Sequence, residues 1–196
     1  MRGASENSSD SELLQLSASG NEEAFLILYR RHRGPVFRFA LHMSGNRETA
    51  EEVTQEVFLA MLSDAHQYAA ERGSLESYLI GIARNLVRRQ LRGERAAAAK
   101  AHEPGLAGLT VDAELVESLS RAQELEALHR AILALPANYR EVVALCDLEG
   151  LAYVQVAEQL GCAVGTVRSR LHRARGILEK KLRMRNTARM TEICPV

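Results

Sequence analysis

The sequence contains few of the residues on which small secreted or membrane proteins depend. It has three cysteines among 196 residues, no tryptophan and four prolines. Cys146, Cys162 and Cys194 lack the spacing of a CxxC pair or a Cys/His ligand set, which argues against a disulfide framework and against a metal site. No apolar run approaches the ~18 residues of a membrane span, and the first twenty residues are polar. We therefore expect a soluble, cytoplasmic protein with no membrane insertion.

The sequence also lacks the motifs of common enzyme classes. It contains no Walker-type glycine-rich loop, no nucleophile elbow and no pair of catalytic carboxylates. The sequence therefore predicts no catalytic residues and no cofactor, and we expect a protein that is not an enzyme.

The chain has no net charge, because 25 basic residues balance 25 acidic ones. The balance is uneven along the chain, since residues 166–189 carry nine Lys or Arg against Glu179 alone. A block of this kind indicates a polyanionic partner, although a solvated helix face would look similar by charge alone. The overall neutrality predicts weak binding to free DNA unless another protein positions this chain.

Apolar residues recur at three- and four-residue spacing along most of the chain, which predicts an all-α fold. Asn21, Asn46 and Ser74 are expected to cap helices, and Pro35 is expected to begin a separate helix at its first turn. The expected organisation is two small helical domains joined by a flexible linker. The segments are an N-terminal tail with a short helix (1–20), a first domain (21–95), a linker (96–124), a second domain (125–185) and a C-terminal tail (186–196).

The segment from residue 151 to residue 181 predicts a helix-turn-helix. A short helix from Tyr153 to Leu160 ends at Gly161, and a second helix begins near Val164. If Val167 and Leu171 face the core, helical periodicity turns outward a set of side chains that can contact the DNA major groove. That set is Arg168, Ser169, His172 and Arg173. An amphipathic hairpin with a basic solvent face is the alternative.

Two blocks of sequence resemble the extracytoplasmic-function (ECF, group IV) sigma factors of bacterial RNA polymerase. Region 4 of that family is similar to LP at 135–136, YREVV at 139–143, LEGL at 148–151 and GTVRSRLHRAR at 165–175. Region 2 is similar to AEEVTQEVF at 50–58, RGSL at 72–75, YL at 78–79 and IARN at 82–85. The resemblance implies a sigma region 2 domain and a sigma region 4 domain, with promoter recognition as the function.

Glu48, Glu52 and Glu56 form a like-charge ridge at four-residue spacing, which destabilises an isolated helix. Such a ridge can serve solubility and the helix dipole, or it can face a basic partner. The resemblance implies the second role, in which the ridge and Gln55 dock on the β′ clamp helices of core RNA polymerase. The β flap is the further polymerase contact that it implies.

The resemblance also implies two contacts with promoter DNA and, commonly, a cognate anti-sigma factor that covers both. The −10 element would be opened and one base captured by residues of the loop at 66–73 and the helix after it. The residues implied there are Tyr68, Tyr78, Arg84, Asn85, Arg88, Arg89 and Arg92. Region 4 would read the −35 duplex with the four outward residues, while phosphate contacts or packing within the region would use Thr166, Arg170 and Arg175.

Two alternatives remain at this stage. The chain could be a stand-alone helix-turn-helix regulator that never enters the polymerase, or its first domain could serve only as a protein-interaction module. The acidic ridge and the segment 66–85 distinguish a promoter-specificity subunit from a stand-alone regulator, because a repressor needs neither.

Overall fold

The computed structural model describes residues 4–98 and 116–193, in which every regular element is helical. The chain divides into two compact units, Met1–Pro104 and Gly105–Val196. The all-α prediction with two helical domains is thus confirmed for the described residues. The N-terminal unit contains α1 (Asp10–Ala18), α2 (Glu22–Ser44), α3 (Arg47–Ser63), two 3-10 turns (Ala65–Gln67 and Ala70–Arg72) and α4 (Leu75–Ala98).

Three helices of the N-terminal unit begin at the predicted caps. The side-chain oxygen of Asn21 accepts a hydrogen bond from the Ala24 amide at 2.9 Å, and that of Asn46 accepts from Thr49 at 3.1 Å. The Ser74 hydroxyl accepts from the Ser77 amide at 3.2 Å. Each bond satisfies an amide that the first turn of a helix leaves without a partner, which explains why the helices begin where polar residues stand.

The core of the N-terminal unit lies between α2, α3 and α4. Phe39 of α2, Val57 of α3 and Leu79 of α4 have no accessible surface. Burying a side chain of this size contributes about 1.5–3 kcal/mol, so this interior holds the three helices together.

Pro35 does not begin a helix, which corrects the sequence prediction. It lies inside α2, which continues from Glu22 to Ser44. A proline in a helix interior removes one backbone hydrogen bond and costs about 3 kcal/mol. Leu28 before the proline and Val36 and Phe39 after it are all fully buried. Tertiary packing on both sides of Pro35 offsets the local cost and keeps the helix continuous.

The first twenty residues also differ from the predicted tail. Their helix, α1, packs on α2 with Leu13 and Leu14 buried. The carboxylate of Asp10 lies 2.8 Å from the Arg31 guanidinium and 2.9 Å from Nε2 of His32. Apolar burial together with this charged contact makes α1 part of the N-terminal unit.

The C-terminal unit is built from shorter helices and one long one. Its elements are α5 (Val116–Leu133), α6 (Ala137–Val142), a π-helical turn (Val143–Leu148), α7 (Tyr153–Leu160) and α8 (Val164–Ile193). Helix α5 begins inside the predicted linker of residues 96–124, and α8 extends into the predicted tail of residues 186–196. The middle of that linker, residues 99–115, lies outside the described residues.

Arg140 of α6 contacts the C-terminal end of α5. It donates hydrogen bonds to the carbonyl oxygens of Leu133 and Leu135, the second at 3.2 Å. Burial and the nearby charge of Arg140 lower the pKa of His129 on α5. His129 is therefore expected to remain neutral at physiological pH, and it adds no charge to the interior of this unit.

The described helices give no sign of a bilayer span or of a metal centre. None of them joins the length and the apolar character that crossing a membrane requires. Within the same residues, no three His, Cys, Asp or Glu side chains cluster in a way that could hold a metal ion.

Candidate nucleic-acid interface

The C-terminal unit contains the predicted helix-turn-helix, formed by α7 and α8. Gly161 ends α7 in the left-handed conformation, with φ of +60°, which a residue without a Cβ adopts at little cost. The next amide, of Cys162, donates to the Ala157 carbonyl at 3.0 Å and closes the turn. Ala157 is buried where the two helices approach each other, and its small side chain permits that approach.

The inward face of α8 is apolar, as its periodicity predicts. Val167 and Ala174 have no accessible surface, and Leu171 is also buried. Opposite this face, the structure exposes the predicted major-groove residues together, namely Arg168, Ser169, His172 and Arg173. The Ser169 hydroxyl donates to the Thr166 carbonyl at 3.1 Å. The exposed surface therefore offers two guanidinium groups and an imidazole to a ligand in the solvent.

The three remaining residues predicted in α8 are not equivalent. Thr166 and Arg170 are half-buried at the side of the helix. Arg175 is exposed but engaged, because its Nε lies 3.1 Å from Oδ2 of Asp147 and a terminal nitrogen lies 2.5 Å from Oδ1. The structure thus separates Arg175 from the outward set and gives it an acidic partner that the sequence prediction missed.

Cys146 lies next to this ion pair and is half-buried. Burial, followed by the charge of Asp147, raises the pKa of the thiol to about 11. A thiol with so high a pKa carries little thiolate at neutral pH, and the thiolate is the reactive form. Cys146 is therefore expected to react slowly as a nucleophile, in agreement with a packing role.

In the N-terminal unit, the two tyrosines predicted at the −10 element lie together. The rings of Tyr68, between the 3-10 turns, and Tyr78, on α4, have centroids 5.7 Å apart and a 50° angle between their planes. The Tyr68 hydroxyl donates to the Gly73 carbonyl at 3.3 Å. Burial, then the charge of Asp64, raises the pKa of Tyr78. Both residues are half-buried, so the tyrosine pair is partly accessible to solvent.

The polar residues predicted for the −10 element follow Tyr78 along α4 and differ in exposure. Arg84 and Arg88 are half-buried, whereas Asn85, Arg89 and Arg92 are exposed. Positions 78, 85, 89 and 92 share one side of the helix, because they recur at intervals of three, four and seven residues. The exposed members therefore form a strip that begins beside the tyrosine pair.

The acidic ridge on α3 is exposed, and two of its members contact α4. Glu48, Glu52, Gln55 and Glu56 are all exposed. A carboxylate oxygen of Glu56 accepts from Arg89 at 3.0 Å, and Glu52 accepts from the Gln90 amide at 3.5 Å. Residues predicted to bind two different macromolecules, Glu56 and Arg89, therefore pair with each other in the isolated protein.

An aromatic groove between α2 and α3 was missed by the sequence prediction. The Tyr29 ring lies 4.8 Å from the Phe58 ring, edge to face, and the Arg33 guanidinium lies 5.7 Å from the Tyr29 centroid. The groove has a volume of about 450 Å³, and Gln55 and Leu59 of α3 line it. Leu59 is 57% exposed. The sequence predicts that Phe25 and Tyr29 share one face of a helix and that Phe58 lies on a later helix. It does not indicate that these rings border an open surface.

Two protein-family models match the chain. The model described as Sigma-70 region 2 matches residues 28–97, and the model described as Sigma-70, region 4 matches residues 125–178. The first model ends with α4 and includes the −10 candidates, whereas the second includes α7 and the predicted recognition residues.

Curated relatives that match most of the chain are described as ECF RNA polymerase sigma factors. The ECF RNA polymerase sigma factor SigM of Mycobacterium tuberculosis is 32% identical over 179 residues, which cover 91% of this chain and 87% of SigM. SigE of Mycolicibacterium smegmatis, also described as an ECF RNA polymerase sigma factor, is 34% identical over 149 residues. That match covers 76% of this chain and 57% of SigE, so the chain spans a little over half of that relative.

Among solved structures, CnrH in complex with the cytosolic domain of CnrY is similar to this chain. The TM-score is 0.65 with 25% sequence identity, and the match covers 89% of this chain and 97% of CnrH.

Proposed function

Because the chain belongs to the ECF sigma factors of RNA polymerase, we propose that it directs core polymerase to a set of promoters and helps to open the −10 element. It acts in the cytoplasm, as a group IV member, and performs no catalysis of its own. The observation that carries this proposal is the presence in one chain of two sigma regions in the family's order, each with predicted binding residues that are exposed or half-buried.

Core polymerase binds the N-terminal unit at the acidic ridge of α3. The ridge presents Glu48, Glu52 and Glu56 to solvent, and charge of one sign at a surface favours a basic partner. Its neighbour, the groove bordered by Gln55 and Leu59, supplies the apolar area that a stable interface needs at its centre. The β′ clamp helices of the polymerase are the proposed partner there, and the β flap is the proposed partner of the C-terminal unit.

The tyrosine pair and α4 handle the −10 element. A flipped base needs a stacking surface, and stacking on an aromatic side chain contributes about 1–3 kcal/mol per base. Tyr68 and Tyr78 provide one supported surface, which suits the capture of a single base. Asn85 and Arg92 continue from it along the exposed side of α4, where they can contact the strand backbone.

The recognition helix α8 reads the −35 element in duplex form. Arg168 and Arg173 project from the face opposite the buried stripe, as side chains must to enter a major groove. A bidentate contact from an arginine to guanine contributes about 1–3 kcal/mol of discrimination. Ser169 and His172 lie between them and add shorter hydrogen-bonding groups.

A cognate anti-sigma factor is a further proposed partner. CnrH, which is similar to this chain along most of its length, was solved in complex with the cytosolic domain of CnrY. An inhibitor that covered both DNA-binding surfaces would hold this chain inactive until it was released.

Run-off transcription with purified core polymerase on a promoter library tests the proposal. We expect transcripts only when the chain is added, from promoters that share −35 and −10 sequences. Arg168→Ala is expected to reduce transcription from those promoters, whereas Arg130→Ala on α5 serves as a matched loss of one exposed arginine. Reconstituted complexes that produce no transcript from any template would contradict the proposal.

A stand-alone regulator is not favoured, because the match to region 2 includes all of α3 and all but the last residue of α4. A regulator of that kind would bind duplex DNA strongly without polymerase. We expect the purified chain to bind promoter DNA weakly and the complex with core polymerase to bind it tightly, which a filter-binding or anisotropy titration measures.

A further inference from the structure

Arg175 and Asp147 form a two-point charged contact between the recognition helix and the rest of the C-terminal unit. Both carboxylate oxygens of Asp147 accept from the guanidinium, at 3.1 Å to Nε and 2.5 Å to a terminal nitrogen. A two-point contact of this kind fixes direction as well as distance, because the guanidinium and the carboxylate are both planar.

The contact joins three elements at one point. Asp147 lies in the π-helical turn, and Tyr153 is the first residue of α7. Hydrogen bonding to Asp147, together with its charge, raises the pKa of Arg175, and the Tyr153 side chain contributes in the same direction. The π turn is closed by a bond from the Glu149 amide to the Ala144 carbonyl at 3.0 Å, five residues apart. This wider turn ends α6 and holds Asp147 beside α8.

We propose that the Asp147–Arg175 pair is a positioning clamp, which sets the orientation of α8 so that its outward residues meet the −35 duplex. The proposal rests on the function given above. It also removes Arg175 from the set of residues that contact DNA and makes it a residue that acts through Arg168, Ser169, His172 and Arg173.

The charges of the C-terminal unit support this assignment. For Arg175 to bind a phosphate, it would have to leave its two-point contact, and Asp147 would remain unpaired close to the DNA. An unpaired carboxylate beside phosphates is repelled. Moving Arg175 from Asp147 to a phosphate would therefore add one attraction, between Arg175 and the phosphate, and one repulsion, between Asp147 and the phosphates. Arg168 and Arg173 already provide cations on the outward face, so the helix does not require a third. Asp147 lowers the affinity of this unit for DNA by its charge alone. Its contact with Arg175 gives it a structural role that offsets this cost.

The direction in which one substitution changes DNA affinity distinguishes the clamp from simple charge neutralisation. In Asp147→Ala, one negative charge is lost and Arg175 is released. If Asp147 only neutralises Arg175, the variant binds DNA more tightly. If the pair orients α8, the variant loses specific affinity although it has become more basic.

The experiment uses the full chain with core polymerase and measures binding to promoter duplexes with an intact or a scrambled −35 element. For Asp147→Ala we expect roughly a two- to fivefold loss of the ratio between the two affinities, in the range of a well-formed exposed ion pair. For Arg175→Gln we expect the same loss of discrimination. The slope of log affinity against log salt concentration should stay unchanged, because a lost phosphate contact would reduce its magnitude by about 0.9. Arg173→Ala is the control that removes an outward residue.

The double variant Asp147→Arg with Arg175→Asp reverses the pair and keeps it. We expect it to recover most of the lost discrimination, and circular dichroism establishes that each variant is folded. A folded double variant that fails to recover, or an Asp147→Ala variant that binds the intact element as well as or better than the wild type, would overturn the clamp. Wild-type complexes that do not distinguish the two duplexes would overturn the proposed function itself, which is a different result.

Discussion

In the N-terminal unit, a basic residue proposed to bind DNA lies against an acidic one, whereas the recognition helix of the C-terminal unit exposes its proposed DNA contacts. Arg89 of α4 donates to Glu56 of α3 at 3.0 Å. Arg168 and Arg173 of α8 stand exposed opposite a buried stripe. Arg175, two turns after Arg168 in α8, pairs instead with Asp147 of the same unit.

This difference indicates how the two units meet their partners. A polymerase that takes Glu56 would release Arg89, so binding at α3 and binding at α4 are linked through one exposed pair. Such a pair contributes about 0.2–1 kcal/mol, so the link is weak and easily broken. Among the described residues of the C-terminal unit, no such exchange is present at the outward face, and the two-point contact of Arg175 with Asp147 is proposed to orient α8.

The largest expected effect concerns the core that supports the N-terminal surfaces. Phe39→Ala removes a fully buried ring from α2 and is expected to lower the free energy of unfolding by about 3–5 kcal/mol. Phe37→Ala is the matched control, because Phe37 lies two residues away and is half-buried beside the groove. Denaturant unfolding followed by circular dichroism measures both. Equal losses would contradict the view that the interior, and not the groove, stabilises this unit.

The next effect concerns the acidic ridge. Reversing the charge at Glu52 and Glu56 to lysine places like charges against the proposed basic partner, which costs several kcal/mol at an interface. We expect roughly a 100-fold loss of affinity for core polymerase in a fluorescence titration. Glu22 and Glu23 in the first turn of α2, changed in the same way, are the control. Unchanged affinity would remove the ridge from the interface.

A smaller effect is expected at the recognition helix. Arg168→Ala should weaken binding of the polymerase complex to an intact −35 element roughly tenfold, because one base contact is lost. Affinity for core polymerase should not change, since the outward face of α8 that carries Arg168 is proposed to contact DNA and not the polymerase. If both affinities fell together, the substitution would have damaged folding, and melting of the C-terminal unit would reveal it.

The tyrosine pair is expected to contribute somewhat less. Tyr68→Ala removes one ring of the pair and should slow the opening of the −10 element about fivefold, the lower range for one stacked base. Permanganate reactivity of unpaired thymines in the open complex measures the effect. Tyr68→Phe keeps the ring and loses only the 3.3 Å hydrogen bond to Gly73, so it should open promoters almost as well. Equal defects in both variants would contradict a stacking role.

The smallest effect is chemical. Because the Cys146 pKa is raised to about 11, its thiolate fraction at pH 8 is on the order of 0.1%. We expect slow alkylation of Cys146 in the folded protein, with a rate that rises as the pH approaches 11. Alkylation should become fast after unfolding. Mass spectrometry of the alkylated peptides follows this residue, and rapid labelling of the native protein at pH 8 would contradict its burial.

Much of the local structure could be predicted from sequence. Asn21, Asn46 and Ser74 begin helices because their side chains satisfy amides of the first turn, an interaction that spans only three residues. Gly161 ends α7 for an equally local reason, the left-handed conformation that it adopts at φ of +60°. The exposure of Arg168 and Arg173 followed from periodicity once the inward residues were known.

Contacts between distant parts of the chain were not predictable in this way. Asp147 and Arg175 are 28 residues apart, and Glu56 and Arg89 are 33 apart. No sequence pattern links either pair, because each depends on how two helices dock. Helix α1 was predicted as part of a tail for the same reason, since the partners of Asp10 lie on α2.

The sequence by itself determined the helical class, the caps, the helix-turn-helix and the resemblance to sigma regions 2 and 4, because these depend on neighbours within a turn or two. Only the tertiary structure decided that α2 passes unbroken through Pro35, that aromatic rings border a groove beside the acidic ridge, and which arginines have acidic partners. Those outcomes depend on burial and on distances between helices, and the docking of the helices determines both.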